Sequence, residues 1–376
     1  MKILFFSSYY YPYTSGITTY PQKIFKYLSK KNQIKVLTFR YDKKLKENEK
    51  FEGYQIIRMN YLFKISKGFI SPLSLIYFLK EAKKADLIII NIPNFEGLPL
   101  AILAKILRKS VVSIFHCQVF LGKRFFNKII NFFLDLSIFI QLWLSNDIVA
   151  YTKDYFKSLK LSHFFLKKTR FVLPPVEVLS VDEKKLQEFA KLKSNNLWVG
   201  YAGRIASEKG LEYLIGLNRL PADVELAFAG PYGKDVAGEN QYFLKIKQLL
   251  EENKIKYRFL GNLSNGDLGA FYKTIDVLVL PSINQTEAFG MVQAEAMFLG
   301  TPVVASDLPG VRMPVKLTKM GMVVEPKNTQ QLSEAITKIL NNKNKFSNEK
   351  LISNAKKVFN ITKIYKLYDD LIDIAN

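Results

Sequence analysis

Arg204 and Lys209 lie five residues apart in the run Gly203-Arg204-Ile205-Ala206-Ser207-Glu208-Lys209-Gly210, directly after the apolar stretch LWVGYA. Two cations beside the first backbone N–H groups of a following helix make a site for a pyrophosphate. A βα loop with solvated charges fits the same spacing, and the run by itself does not choose. It is neither a GxxxxGK[ST] phosphate loop nor a GxGxxG dinucleotide turn. A second constellation is PSINQTEAFGMVQAEAMFLGTPVVASD at 281–307, where Glu287 and Glu295 stand eight residues apart. Carboxylates accept pairs of hydrogen bonds from vicinal sugar hydroxyls, and free N–H groups over Phe289, Gly290, Met291 and Val292 would hold a phosphate. The plainer reading makes Glu287 a charge at a helix start and Glu295 a surface residue. Glu295, however, is set in AEAMFLG among small and apolar neighbours, where an ionised carboxylate needs partners.

Three further residues carry weaker signals. Gly16, in YTSGITTY, opens an expected helix after the first strand and lets the backbone approach a phosphate or sugar closely. An ordinary turn explains it equally well. His116 follows SVVSIF, where the carboxyl end of a strand would face a ligand, and a structural role stands beside that one. His163, in LSHFFLKK, reads as structural. With 2 His, the single Cys117 and no Asp-x-Asp pair, an all-protein zinc site is not expected. A Mg²⁺ held only by phosphate stays open. One cysteine also leaves no intrachain disulfide, which fits a reducing compartment.

The elements that must position these groups read as two successive α/β units in 376 residues. Short apolar runs at 2–8, 33–39, 54–59, 86–91, 110–115 and 147–152 alternate with helical patterns at 17–29, 72–85 and 98–107. Two consecutive prolines, Pro174 and Pro175, close this unit. A second series of strands follows at 197–203, 224–230, 256–261, 277–282, 302–307 and 321–326. Its helices are expected at 211–219, 239–253, 267–275, 287–299 and 329–341, with a last pattern from Lys357 to Ile374. The expected fold is α/β with parallel sheets, two facing Rossmann-like domains and a cleft between them, ligands gathering beyond the strands' carboxyl ends.

Charge is distributed unevenly. Residues 1–180 hold 29 Lys/Arg against 11 Asp/Glu, a net +18, whereas residues 181–376 hold 26 against 22, or +4. A basic surface of this kind suits nucleic acid or anionic lipid headgroups. No zinc-finger spacing or RNA-binding aromatic motif supports nucleic acid. The segment 120–144, FLGKRFFNKIINFFLDLSIFIQLWL, has periodic apolar positions beside Lys123, Arg124 and Lys128, with Lys23, Lys26, Lys30 and Lys31 as a further basic flank. It is expected to lie on an anionic bilayer as an amphipathic helix. Asp135 and Gln141 interrupt its apolar run, so a transmembrane span is not expected. The N-terminal run is too short for a signal peptide.

Taken together, GRIASEKG, FLGNLSNGDLGAFYKTIDVLVLPS (259–282) and TEAFGMVQAEAMFLGTPVVASDLPG (286–310) resemble glycosyltransferase family 4, retaining enzymes of the two-domain GT-B fold. The resemblance implies an N-terminal acceptor-side domain at 1–176, a nucleotide-sugar domain at 177–356 and a final helix at 357–376 crossing back. Arg204 and Lys209 would contact the donor diphosphate. Glu287 would touch donor-sugar hydroxyls and Glu295 the ribose. Phe289–Val292 would supply the backbone around sugar and phosphate, with Gly203 and Gly16 close to the phosphate and His116 on the donor sugar. The implied activity is transfer of a hexosyl or N-acetylhexosaminyl group from a UDP-sugar, or next a GDP-sugar, without a required metal. The +18 of residues 1–180 and the 120–144 segment, rather than the resemblance, point to a lipid-linked sugar or surface glycan as acceptor, in polysaccharide or lipopolysaccharide biosynthesis at the cytoplasmic face of the cell membrane. A soluble acceptor, a nucleotide-sugar epimerase and a non-catalytic nucleotide-sugar binder are the alternatives. Three departures stand out: Ser15-Gly16 replaces a frequent double glycine, Pro174-Pro175 an interdomain Asn-Gly, and Met313 a frequent glutamate.

Overall fold

The computed structural model describes residues 1–376 except 66–67, 120–124, 217–220, 222, 237 and 376. The chain divides into two units, Met1–Pro175 with Ile361–Asn376, and Val176–Asn360. Lys123 and Arg124 lie outside the described residues.

In chain order the first unit contains β1 (Lys2–Phe6), α1 (Gly16–Leu28), β2 (Gln33–Phe39), β3 (Asn48–Phe51), β4 (Tyr54–Met59), β5 (Phe63–Ile65), β6 (Gly68–Ile70), α2 (Leu73–Ala82) and β7 (Leu87–Ile92). There follow α3 (Gly97–Ile106), β8 (Ser110–Phe115), α4 (Phe125–Leu144), β9 (Asp147–Ala150), α5 (Lys153–Lys157) and β10 (Thr169–Phe171). Its main sheet has the order β10-β9-β8-β7-β1-β2-β4-β3, parallel except for β3 against β4. β1 lies between β2 and β7, with Phe6 opposite both Leu37 and Ile90. Covered on both faces, such strands read as unbroken apolar runs rather than alternating ones, as LIIINI in β7 does. The polar β3 and the small β5–β6 hairpin carry no comparable pattern and were not expected.

The second unit holds α6 (Glu183–Lys193), β11 (Leu197–Ala202), α7 (Leu211–Ile215), β12 (Val224–Ala229), α8 (Asn240–Glu252), β13 (Lys256–Gly261), α9 (Asn265–Thr274) and β14 (Val277–Leu280). It continues with α10 (Met291–Phe298), β15 (Val303–Ser306), α11 (Met313–Thr318), β16 (Gly321–Val324), α12 (Thr329–Asn341), α13 (Lys343–Phe346) and α14 (Glu349–Val358). The sheet order is β13-β12-β11-β14-β15-β16, all parallel. Val199, Tyr201, Leu226, Phe228, Val277 and Val279 pack against Leu214, Ile246 and Ile336 from the helices. Each such buried side chain contributes about 1.5–3 kcal/mol of apolar burial.

The last helix, α15 (Thr362–Ala375), belongs to the first unit. Tyr365 stacks on Tyr27 of α1 at 4.1 Å, and the Tyr27 hydroxyl donates to Asp369 at 2.6 Å. The pattern from Lys357 to Ile374 is therefore divided, since α14 ends at Val358 and α15 starts at Thr362. Helix α4 is long and apolar enough to cross a membrane by length and composition, which differs from the reading of 120–144 as an interrupted run. It packs along α3 and buries Leu134, Ile138 and Leu142. The interrupting Gln141 is itself buried, donating to Asn94 O at 3.0 Å and to Ser137 Oγ at 3.1 Å.

Candidate active site

A doubly wound sheet places its ligand where strand order reverses, beyond the strands' carboxyl ends. In the second unit that point lies between β11 and β14, and both motifs sit there. Gly203 directly follows β11 with φ +141°, and a Cβ on the adjacent Gly230 would stand 2.2 Å from the Gly203 carbonyl oxygen. Two glycines are thus required for the neighbouring strand ends to approach this closely.

The buried Tyr201 hydroxyl fixes the Arg204 carbonyl at 2.7 Å. Arg204 pairs with Glu208 at 3.0 Å, its side chain half exposed. The Glu208 carbonyl accepts Ile283 N–H at 3.1 Å, which ties this loop to the segment after β14. Across the same junction Lys209 Nζ meets Glu287 Oε2 at 2.5 Å, both side chains largely covered. Residues 78 positions apart are thereby joined. The amide at the start of α7 is not available as expected, because Leu211 N–H is taken by the Tyr242 hydroxyl at 2.9 Å.

Helix α10 begins at Met291, later than expected, because Gly290 adopts φ +74°. A Cβ there would stand 2.3 Å from Leu280 Cδ2. Glu287 consequently precedes the helix while Glu295 is inside it. Gly290 offers no side-chain cap, and the first amide turning inward is Gln293, to Gly290 O at 3.0 Å. The amides of the first turn face the helix mouth, where the dipole favours an anion. Phe289 is buried against Phe359, so only its backbone faces the turn. Its carbonyl is clamped by the fully buried Gln293, whose Nε2 donates to Phe289 O and Val311 O at 2.9 Å each. Gln293 went unnoticed in the sequence, being one polar letter between two glutamates. Glu295 has the partner its setting demands, accepting from the Tyr272 hydroxyl at 2.9 Å.

His116 and Gly16 belong to the first unit. Gly16 is the exposed first residue of α1, with Thr18 Oγ1 accepting from Ser15 N–H at 3.0 Å. His116 is 2% exposed; its Nε2 meets Asn91 Oδ1 at 2.5 Å and its Nδ1 meets the Tyr151 hydroxyl. Asn91 Nδ2 donates to Ser7 Oγ at 3.0 Å and Ile17 O at 3.1 Å, so its oxygen faces the imidazole. That network assigns the proton to Nε2 and makes Tyr151 the donor to Nδ1. Burial lowers the imidazole pKa to about 3, leaving it neutral. Contact between a sugar and either ring nitrogen requires one of these bonds to open. Among the described residues no group of three His, Cys, Asp or Glu could hold a metal.

Residues 182–358 match the family described as glycosyl transferases group 1. That stretch is nearly the whole second unit and contains both motifs. An uncharacterized glycosyltransferase of Methanocaldococcus jannaschii is 34% identical over 145 residues, 37% of this chain and 35% of that protein. The capsular polysaccharide biosynthesis glycosyltransferase CapM of Staphylococcus aureus is 30% identical over 176 residues, 44% of this chain and 42% of CapM. The matched stretch thus spans well under half of these relatives. Anabaena HepE, solved with UDP and glucose, superposes over 99% of both chains with a TM-score of 0.80 at 18% identity. This likeness shows the fold, which is the GT-B class of two α/β units.

Proposed function

We propose that this chain is a glycosyltransferase that takes a sugar from a nucleoside diphosphate and delivers it, with retention of anomeric configuration, to a glycan or lipid-linked acceptor. The observation that carries the reading is the Lys209–Glu287 pair at 2.5 Å, which unites the cationic loop after β11 with the turn before α10 at one switch point. Arg204, Lys209 and the first amides of α10 hold the diphosphate and stabilise the charge it gains on departure. Glu287 and Glu295 accept from sugar and ribose hydroxyls. Buried Ser282 Oγ and Thr286 Oγ1 lack partners among the described residues, and a polar ligand would supply them. UDP is the preferred nucleotide, a choice supported by HepE, which was solved with UDP and with UDP-glucose.

In the transfer, the bond from the anomeric carbon to the diphosphate oxygen breaks and its electron pair leaves with the phosphate. The acceptor hydroxyl forms the new bond on the face just vacated, and its proton passes to a donor phosphate oxygen. No divalent metal is needed where two cations and helix amides already meet the charge.

Support for an acceptor at a membrane comes from one helical layer of the first unit. Ile76 on α2, Ile106 on α3, and Phe132 and Trp143 on α4 are each at least 60% exposed. Lys80, Lys84, Arg108 and Lys128 are exposed on or beside the same three helices. Apolar projections among lysines and arginines suit peripheral binding to anionic lipid at the cytoplasmic face, and CapM acts in capsular polysaccharide biosynthesis. The reading is tested by incubating the protein with UDP-sugars and lipid extract and analysing products by mass and anomeric NMR. An α-linked product from an α-linked donor is expected. An inverted anomer would remove retention, and binding of UDP with neither transfer nor hydrolysis would make this a binding protein.

A further inference from the structure

Strands β1 and β2 open on polar residues, although most of each strand is apolar. Lys2 stands opposite Gln33, and Leu4 opposite Lys35. Register partners share a face of a sheet, as do side chains two apart along a strand. Lys2, Leu4, Gln33 and Lys35 therefore lie together on one face. Helix α2 reaches that face through Glu81, whose Oε2 accepts from Lys35 Nζ at 2.5 Å, and stops at Ala82. A cavity of about 190 Å³ opens where the helix stops. Lys2, Gln33, Lys35, Glu81 and Lys84 surround it, and the buried Leu4 lines its floor.

Cations outnumber carboxylates around this opening. Lys109 Nζ donates at 2.6 Å to the carbonyl of Ala85, a lining residue, and joins the ammoniums of Lys2, Lys35 and Lys84. Against these four stand two carboxylates, Glu81 and Asp86, and Asp86 Oδ2 already accepts Lys2 N–H at 2.7 Å. A surplus of two positive charges faces a half-open cavity. Glu81 is buried and uses Oε2 for Lys35, which leaves Oε1 to accept from a ligand hydroxyl. Gln33 offers both a donor and an acceptor. None of these groups serves the transfer chemistry: they sit at the amino ends of the strands, whereas His116 follows the carboxyl end of β8.

We infer that this cavity binds a small polyhydroxylated phosphate monoester, with the phosphate on Lys2 and Lys84 and the hydroxyls on Gln33 and Glu81. Such an ester carries about −1.5 to −2 near pH 7, which matches the surplus. The volume equals about six waters at roughly 30 Å³ each, and sites for drug-sized ligands hold about 300–1,000 Å³. An ester of glycerol size fits; a nucleotide does not. The same chemistry is presented by a soluble metabolite and by a phosphate-bearing lipid headgroup. This site goes beyond the transferase reading and does not depend on it.

The test is titration calorimetry on the full chain at low salt, with UDP saturating so that the second unit's phosphate site is filled. Glycerol 3-phosphate is expected to bind more tightly than inorganic phosphate, and glycerol to give no heat. Lys2→Ala with Lys84→Ala is expected to weaken glycerol 3-phosphate about tenfold or more, and to leave UDP affinity unchanged. Both side chains are exposed, so the melting temperature should hold; if it falls, Lys84→Ala alone serves. Gln33→Ala should bring the ester down towards inorganic phosphate. Phosphatidic acid vesicles that displace glycerol 3-phosphate from the wild-type chain assign the site to a lipid headgroup, and undisturbed binding assigns it to a soluble ester. No heat with glycerol 3-phosphate overturns the inference, as does equal affinity for inorganic phosphate or an affinity indifferent to the two lysines. UDP binding without glycerol 3-phosphate binding sinks this site alone. A chain that takes the ester through these lysines but neither binds UDP nor turns over UDP-sugars sinks the transferase reading and leaves the site standing.

Discussion

The Asn91 amide donates to the carbonyl oxygen of Ile17 at 3.1 Å. An α-helix would supply that acceptor with the N–H of residue 21, but residue 21 is a proline inside α1. Asn91 replaces the missing donor and, with its other end, fixes His116. One asparagine therefore joins an interrupted helix, the end of β1 and a buried imidazole.

Replacing Asn91 by Leu should destabilise the first unit markedly. Ile17 O and His116 Nε2–H would both be orphaned in a buried setting, at about 1–3 kcal/mol for each group. Urea denaturation should show a lowered midpoint with an unchanged slope. Pro21→Ala, which restores a helical N–H, should be far milder.

Acid should weaken the fold through His116. Its folded pKa of about 3 lies below the unfolded 6.5, so between those values the unfolded chain binds the extra proton. The contribution is complete above pH 6.5 and is lost as pH falls towards 3, on the order of 5 kcal/mol over that window. His116→Gln should flatten the stability profile between pH 7 and pH 4, as read by denaturant midpoints. A profile of unchanged steepness would show that other groups carry the dependence.

Removing either cation at the second unit's switch point should weaken UDP capture. Lys209→Met and Arg204→Ala should each raise the UDP dissociation constant about 10- to 100-fold by titration calorimetry, the effect of losing a charge-assisted contact. Glu287→Gln should reduce turnover more than UDP affinity, because its proposed partner is the sugar. Chelation with EDTA should leave turnover intact.

Gly290→Ala should lower both melting temperature and UDP affinity. The αL backbone costs a side chain about 1–2 kcal/mol, and the added carbon would press on Leu280 Cδ2.

Membrane binding should respond to charge on the α2–α4 layer. Ile106→Glu and Phe132→Glu should reduce sedimentation with anionic vesicles without altering the melting temperature, since both side chains already face solvent. Unchanged sedimentation would remove this face from consideration.

The parallel strands were legible because burial on both faces leaves apolar runs of five or six residues, as in KILFF and LIIINI. The two motifs were legible because glycines and charges stand at fixed offsets from such runs. The β3 strand, NEKF, was invisible because a polar edge strand needs no apolar face. The start of α10 was misjudged by four residues, since no letter announces that Gly290 is left-handed rather than helical. His116 showed only as a strand-end histidine. Its partners Asn91 and Tyr151 lie 25 and 35 residues away, and only folding brings them together.

Because α15 completes the first unit, the order of synthesis runs against the order of assembly. The α1 surface around Tyr20 and Tyr27 must wait, uncovered, while 185 residues of the second unit leave the ribosome. Only then does Tyr368 reach the Tyr20 hydroxyl, at 3.2 Å, beside the ring that packs on His116. A nascent chain halted before residue 361 would hold a second unit able to mature and a first unit still lacking its closing helix.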